Sequence, residues 1–141
     1  MVDLFAGTGS MGIEALSRGA AHCEFVESDR DQVQVINENL RMTKLHERGT
    51  VIHGYSERVL ATLNPTYDLM LMDPPYSRPF PENIVRMIAD LGLVSSQDGL
   101  LVVGHSSRVS VPLTCGTLSL QQDRRYGDSS LAFYAAGGSK H

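Results

Sequence analysis

The chain has 141 residues, 42% of them hydrophobic, and a formal net charge of −4, which predicts one domain with a real core and argues against a free-standing nucleic-acid binder with a basic footprint. Cys23 and Cys115 form no C-x-x-C pair and the five histidines show no ligand spacing, so neither a disulfide framework nor a metal site is expected; reduced, partly buried thiols in a cytoplasmic protein are. No apolar run approaches the length of a membrane span, and no signal peptide precedes the first structured residues.

Val2-Asp3-Leu4-Phe5 reads as the C-terminal half of a strand that runs straight into a glycine loop. Strands usually need about five or six residues, so a segment upstream of Met1 is expected to be missing. Gly7-Thr8-Gly9-Ser10-Met11-Gly12 opens a helical stretch, Ile13 to Arg18, with Gly19 in a C-cap position. Glycines here permit positive φ and close approach of backbone to ligand, and the free amides of the helix start favour a polar or anionic group. The apolar strand Cys23-Glu24-Phe25-Val26 then ends in Glu27. That carboxylate stands about 20 residues beyond the first glycine, where it can accept hydrogen bonds from ribose hydroxyls.

The alternation continues. Asp29 can cap a helix with Val33, Ile36 and Leu40 on one face. Strand Thr50 to His53 ends at Gly54-Tyr55-Ser56, and a short helix through Val59 and Leu60 leads to Asn64-Pro65. Leu69-Met70-Leu71-Met72 reads as a strand buried on both faces, and the chain then turns at Asp73-Pro74-Pro75-Tyr76. Two prolines neither continue a strand nor easily start a helix, so this is a stiff corner bearing a carboxylate and a phenol, at the kind of strand end where open α/β sheets bind ligands. Pro79-Phe80-Pro81 precedes a helix with Ile84, Ile88 and Leu91 on one face, and Gly99 introduces the strand Leu100 to Val103. Thr117 to Gln121 alternates apolar and polar residues, Tyr126-Gly127-Asp128 is a turn, and Leu131 to Ala135 is a second strand. The expected fold is therefore an α/β, Rossmann-like sheet, parallel for five strands, closed by an antiparallel hairpin, over residues 1–136 with a frayed tail at 137–141.

Two chemistries can use that scaffold. A nicotinamide dehydrogenase needs the glycine loop and Glu27, but not the proline corner, and no Tyr-x-x-x-Lys or histidine–carboxylate arrangement offers the proton relay it requires. A methyltransferase using S-adenosylmethionine needs all three features. The exocyclic amino group of a nucleobase is a weak nucleophile because its lone pair is delocalised into the ring, and acceptors on its N–H bonds redirect that density. Asp73 can supply one acceptor, the carbonyl of Pro74 another, and Tyr76 can stack on the base. Rigid prolines suit this task, since misplacement of reacting atoms by about 1 Å can cost on the order of 100-fold in rate.

The pairing of Asp3-Leu4-Phe5-Ala6-Gly7-Thr8-Gly9 with Asp73-Pro74-Pro75-Tyr76 resembles the class I S-adenosylmethionine-dependent amino-methyltransferases. Gly12-Ile13-Glu14-Ala15-Leu16-Ser17-Arg18-Gly19-Ala20, Phe25-Val26-Glu27-Ser28-Asp29 and Arg125-Tyr126-Gly127-Asp128 narrow the resemblance to bacterial 16S ribosomal RNA guanine-N2 methyltransferases. That resemblance implies that Asp3, Phe5, Gly7 and Gly9 surround the methionine portion of the cofactor, Glu27 holds its ribose, and Tyr55-Ser56 lies against the adenine. Many relatives have an acidic or amide side chain near that last position; here backbone amides or the Ser56 hydroxyl would serve. It further implies that Asp73 to Tyr76 hold the target base, that the partner is 16S rRNA or the assembling 30S subunit, and that a basic upstream segment contacts RNA. A chain lacking that segment is expected to bind cofactor weakly and RNA poorly. The protein is expected to be a monomer without metal or membrane attachment.

Around the corner several residues keep two readings. Arg78 meets an RNA phosphate or is simply solvated. Phe80 shapes the base pocket or packs the loop onto the next helix. Arg124 and Arg125 line an RNA path or keep a sheet edge from pairing with another sheet. The same corner would serve adenine in DNA, although no added target-recognition segment is visible, and a non-catalytic binding module with this fold is the other alternative.

Overall fold

The computed structural model describes residues 1–64, 66–74 and 79–136. The chain groups into two compact units, Met1–Thr62 and Leu63–His141. Among the described residues no helix is long and apolar enough to cross a membrane.

In the first unit, β1 (Val2–Leu4), β2 (Cys23–Glu27) and β3 (Gly49–His53) are parallel, in the order β3-β2-β1. Helices α1 (Ser10–Ser17), α2 (Arg30–Met42) and α3 (Ser56–Leu60) alternate with them, and a 3₁₀ turn, His46–Arg48, leads into β3. Leu16, Cys23, Phe25, Ile36 and Leu40 form its core. Helix α1 starts three residues earlier than its apolar pattern suggests, because Gly9, at φ 81°, turns the chain so that Ser10 is already helical. Asp29 caps α2 as expected, its side chain accepting from the amides of Asp31 at 2.8 Å and Gln32 at 3.4 Å. Arg48 ties this unit together from behind: its guanidinium donates to the carbonyls of Leu16 and Ala20 at the end of α1.

The second unit holds β4 (Leu69–Met72), α4 (Glu82–Asp90), β5 (Leu100–Ser106), β6 (Thr114–Cys115), β7 (Leu118–Tyr126) and β8 (Ser129–Ala136). The strand order is β4-β5-β8-β7-β6, with β4 and β5 parallel and the remaining pairs antiparallel. The expected closing hairpin is present, longer than its alternating pattern indicates, and turns at Gly127, φ 67°. An irregularity between Leu120 and Gln122 shifts the β7 register. Strand β6, two residues long, has no sequence signal of its own. The buried face of α4 is Val85, Ile88 and Ala89, whereas Leu91 is 41% exposed. Leu91 is the C-cap, followed by Gly92 at φ 62°, so the helical period stops before it can turn that side chain inward.

Both cysteines are free and buried. Burial, reinforced by the nearby Asp3 carboxylate, pushes the Cys23 thiol up to about 12, and burial also raises Cys115. Since the thiolate is the reactive form, neither residue should consume a thiol reagent at pH 8 until denaturant is added, when both should react. Fast labelling of Cys23 in the native protein would contradict the packing.

Gly12 closes the first unit's core. A Cβ there would lie 2.4 Å from Phe25 Cε2 and 2.9 Å from Cys23 Sγ, contacts that real side chains do not make. Gly12→Ala should therefore cost about 1–3 kcal/mol of stability in urea unfolding, through overpacking. Gly12→Ala combined with Phe25→Leu should recover part of the loss.

Candidate active site

In the first unit, the candidate residues lie where three adjacent strands end. The register pairs Leu4 with Val26, Val26 with Ile52 and Glu27 with His53, so Phe5–Gly7, Glu27 and Gly54–Ser56 leave the sheet at one edge. Backbone bonds stitch these exits together, Ala6 N–H donating to Val26 O at 3.0 Å and Gly54 N–H to Glu27 O at 2.9 Å.

Between β1 and α1 the chain visits the left-handed region three times, at Phe5 (φ 58°), Gly7 (φ 60°) and Gly9 (φ 81°). Such a conformation at a non-glycine residue is strained, and it persists only where surrounding structure enforces it. The enforcing contacts are two carboxylates. Asp3, 2% exposed, accepts from the Gly12 amide at 3.2 Å, which fastens the first turn of α1 to β1. Glu27 accepts from the Gly7 amide through Oε1 at 2.8 Å and from the Asp29 amide through Oε2 at 2.9 Å. It therefore holds both the glycine loop and the start of α2.

The three glycines have different jobs. Gly7 has open space where a Cβ would be, leaving the loop surface clear on that side. Gly9 is buried, with the would-be Cβ 3.2 Å from Ile36 and 3.4 Å from Phe25, and Gly12 is a close-packing position as described above. Tyr55 is 63% exposed at the start of α3, while Ser56 is 4% exposed.

In the second unit, β4 ends at Met72, and Asp73 is exposed while Pro74 is buried. Pro75, Tyr76 and Arg78 lie outside the described residues. Phe80 is half-buried, its ring 6.3 Å from that of His105 at 78° and 6.2 Å from Tyr134 at 47°, so packing is part of its role. Tyr134 is fully buried and donates its hydroxyl to Pro112 O at 2.8 Å; burial raises its pKa, which keeps that donor in place.

One pair was not anticipated from the sequence. His105, 4% exposed at the end of β5, has Nε2 2.8 Å from Asp123 Oδ1 and Nδ1 2.8 Å from Ser106 O. Only the apolar run ahead of His105 hinted at its burial. Among the described residues no group of His, Cys, Asp and Glu could hold a metal ion.

Alternating strands and helices, a left-handed glycine loop held by carboxylates from two strands, and an acid–proline strand end define a class I methyltransferase fold. The chain belongs to the family described as Conserved hypothetical protein 95, whose model matches residues 1–135. It is 34% identical over 140 residues to YlbH of Bacillus subtilis (strain 168), a proposed rRNA methyltransferase, covering 97% of this chain and 76% of that protein. It is 28% identical over 133 residues to the ribosomal RNA small subunit methyltransferase D of Escherichia coli (strain K12), covering 94% of this chain and 66% of that one. A solved structure of a conserved hypothetical protein from Streptococcus pyogenes matches with a TM-score of 0.89 at 33% identity, over 99% of this chain and 87% of that one.

Two charge-assisted bonds to Glu27 from backbone donors should each contribute about 1.5–3 kcal/mol, less where solvent reaches them. Glu27→Ala is expected to cost roughly 2 kcal/mol in urea unfolding, and Glu27→Gln, which keeps one acceptor, less than half of that. Equal stability of Glu27→Ala and the parent would show that the carboxylate does not hold the loop.

Proposed function

We propose that this chain is the catalytic part of an S-adenosylmethionine-dependent methyltransferase that modifies the exocyclic N2 amino group of a guanine in 16S ribosomal RNA, alone or in the assembling 30S subunit. The observation that carries the reading is Asp73–Pro74: an exposed carboxylate directly followed by a buried proline, at the end of a buried strand in a chain of class I methyltransferase fold. Acting on ribosomal RNA is what the names of YlbH and methyltransferase D say of those proteins, and the flanking motifs resemble guanine-N2 enzymes. The protein is taken to be cytoplasmic and monomeric.

The first unit fits the cofactor. The clear side of Gly7 accepts close approach, the strand-end edge from Phe5 to Glu27 suits the methionine and ribose portions, and Asp3 and Gly9 support the loop from beneath. A carboxylate oxygen has two acceptor positions, so Glu27 can hold Gly7 and still take a ribose hydroxyl. Tyr55 and Ser56 are assigned to the adenine, with the exposed Tyr55 ring available for stacking. When bound, S-adenosylmethionine supplies a methyl group already activated by a sulfonium charge.

Acceptor binding falls to the second unit. Asp73 accepts one N–H of the target amino group and the Pro74 carbonyl the other, which returns lone-pair density to nitrogen, while Tyr76 and Pro75 hold the base plane. With the cofactor bound, its sulfonium methyl would pass to this nitrogen, and the S–C bonding pair would stay on sulfur. The nitrogen then carries a positive charge, which Asp73 stabilises until a proton leaves to solvent. Positioning and electrostatics do most of this work, because the leaving group needs no acid.

The test is to incubate the full-length protein with methyl-labelled cofactor and naked 16S rRNA, assembled small subunits or duplex DNA, then digest to nucleosides. Label in N2-methylguanosine is expected; label confined to N6-methyladenine in DNA would replace this reading with the DNA adenine alternative, and no transfer at all would favour the binding module. Asp73→Ala should lower turnover on the order of 10²–10³-fold with cofactor affinity nearly unchanged. Unimpaired turnover would remove Asp73 from the mechanism.

A further inference from the structure

Basic charge in the second unit is concentrated at one place. Among its described residues, Arg86, Arg108, Arg124 and Arg125 are the only arginines or lysines. Arg86 lies 3.7 Å from Glu82 on the same helix, whereas none of the other three has an ion pair among the described residues. Arg124 and Arg125 lie near the tip of the β7–β8 hairpin, and the backbone next to Arg108 is bonded to the same turn. Every residue from Gln121 to Asp128 is exposed, so the hairpin end stands free on both faces. Strand alternation puts Arg124 and Tyr126 on one face and Arg125 on the other. Tyr126 is 54% exposed.

Arg108 is brought there by hydrogen bonds. Ser107 donates its amide to Asp128 O at 2.9 Å and its hydroxyl to Gly127 O at 3.0 Å, and its Oγ lies 2.9 Å from Ser130 Oγ. Arg125 Nε donates to Gly127 O at 3.0 Å. The turn after β5 and the hairpin tip are thus one stitched knuckle. Of its two carboxylates, Asp123 is engaged by His105, which leaves Asp128 against three guanidinium groups.

The register then sets where the knuckle stands. Met72 pairs with Val103, so Asp73 leaves β4 level with Gly104, while β5 runs on to Ser106, opposite Ser129. Two further residues of strand are about 7 Å. The knuckle therefore rises past the strand end that carries Asp73, on the same edge of this unit's sheet.

We propose that the knuckle of Arg108, Arg124, Arg125 and Tyr126 is the docking surface for the phosphate backbone of the RNA substrate, with an arginine on each hairpin face for the phosphates flanking the target nucleotide and the Tyr126 ring for a neighbouring base. This rests on the reading of Asp73–Pro74 as the acceptor site. An edge charged only to prevent sheet pairing needs neither a third arginine beside the residue bonded to the turn nor an exposed aromatic ring on the face that carries Arg124. Guanidinium groups suit phosphate, and an aromatic beside them suits an unstacked base.

The test measures binding apart from turnover, by fluorescence anisotropy of the full-length protein with a labelled RNA stem-loop that has an unpaired guanine in its loop, across a salt series. Each phosphate contact to a single strand contributes about 0.7 to the slope of log K against log salt. Each of Arg108→Gln, Arg124→Gln and Arg125→Gln should lower that slope by about 0.7, and the triple variant by about 2. Tyr126→Ser should weaken binding roughly tenfold at every salt concentration without changing the slope. Cofactor affinity and melting temperature should be unchanged in all five variants. A triple variant with the parental slope and affinity overturns the proposal, as does the same loss of slope on duplex DNA with tighter binding to DNA than to the stem-loop. If the slope falls on RNA but no guanine is methylated, the docking surface stands and the catalytic reading fails.

Discussion

The Glu27 carboxylate is the contact on which the edge formed by the ends of β1, β2 and β3 depends. Its two oxygens take amide protons from Gly7, in the middle of the loop after β1, and from Asp29, the cap of α2. Without it, a loop that visits the left-handed region at a phenylalanine and two glycines would have no acceptor for one of its inward amides. Asp3 does the same for Gly12 one strand away, within the buried layer. The site is thus built from backbone amides fixed by carboxylates, which gives it stiffness before any ligand arrives. In physical terms, a single side chain sets the loop, the helix start and the electrostatics of the edge, so deleting it disturbs all three together.

The outline of this arrangement is legible in the residues themselves. A glycine run after a short apolar strand, an acid after the next strand and a proline pair after a buried one each declare a local constraint. The Asp29 cap and the Gly127 turn are equally local, and both stand where their chemistry predicts. Partners distant in sequence are not legible in this way. That Gly9 and Gly12 serve packing follows from the position of Phe25 on the neighbouring strand, which periodicity does not encode. His105 and Asp123 meet only because β7 carries an irregularity after Leu120 that sets which residue opposes β5 across β8. Leu91 reads as core by spacing and is outside it because a cap intervenes.

Division of labour between the units follows the same chemistry. The first offers oriented amides and carboxylates at the ends of parallel strands, an environment suited to hydroxyl groups and to a cationic ligand. The second offers a proline-stiffened carboxylate and an antiparallel end whose exposed charge is positive. A net charge of −4 for the whole chain conceals this local cluster of arginines.

Cys23 and Cys115 lie in the cores of the two units, with raised pKa values and no path to reagents while the protein is folded. The native chain is consequently a silent background for thiol chemistry. A single cysteine introduced at an exposed position, such as Thr117→Cys ahead of β7 or Thr8→Cys on the glycine loop, would carry a dye, spin label or crosslinker at that point alone. Distances between labelled positions could then be measured without first removing either natural cysteine from its core.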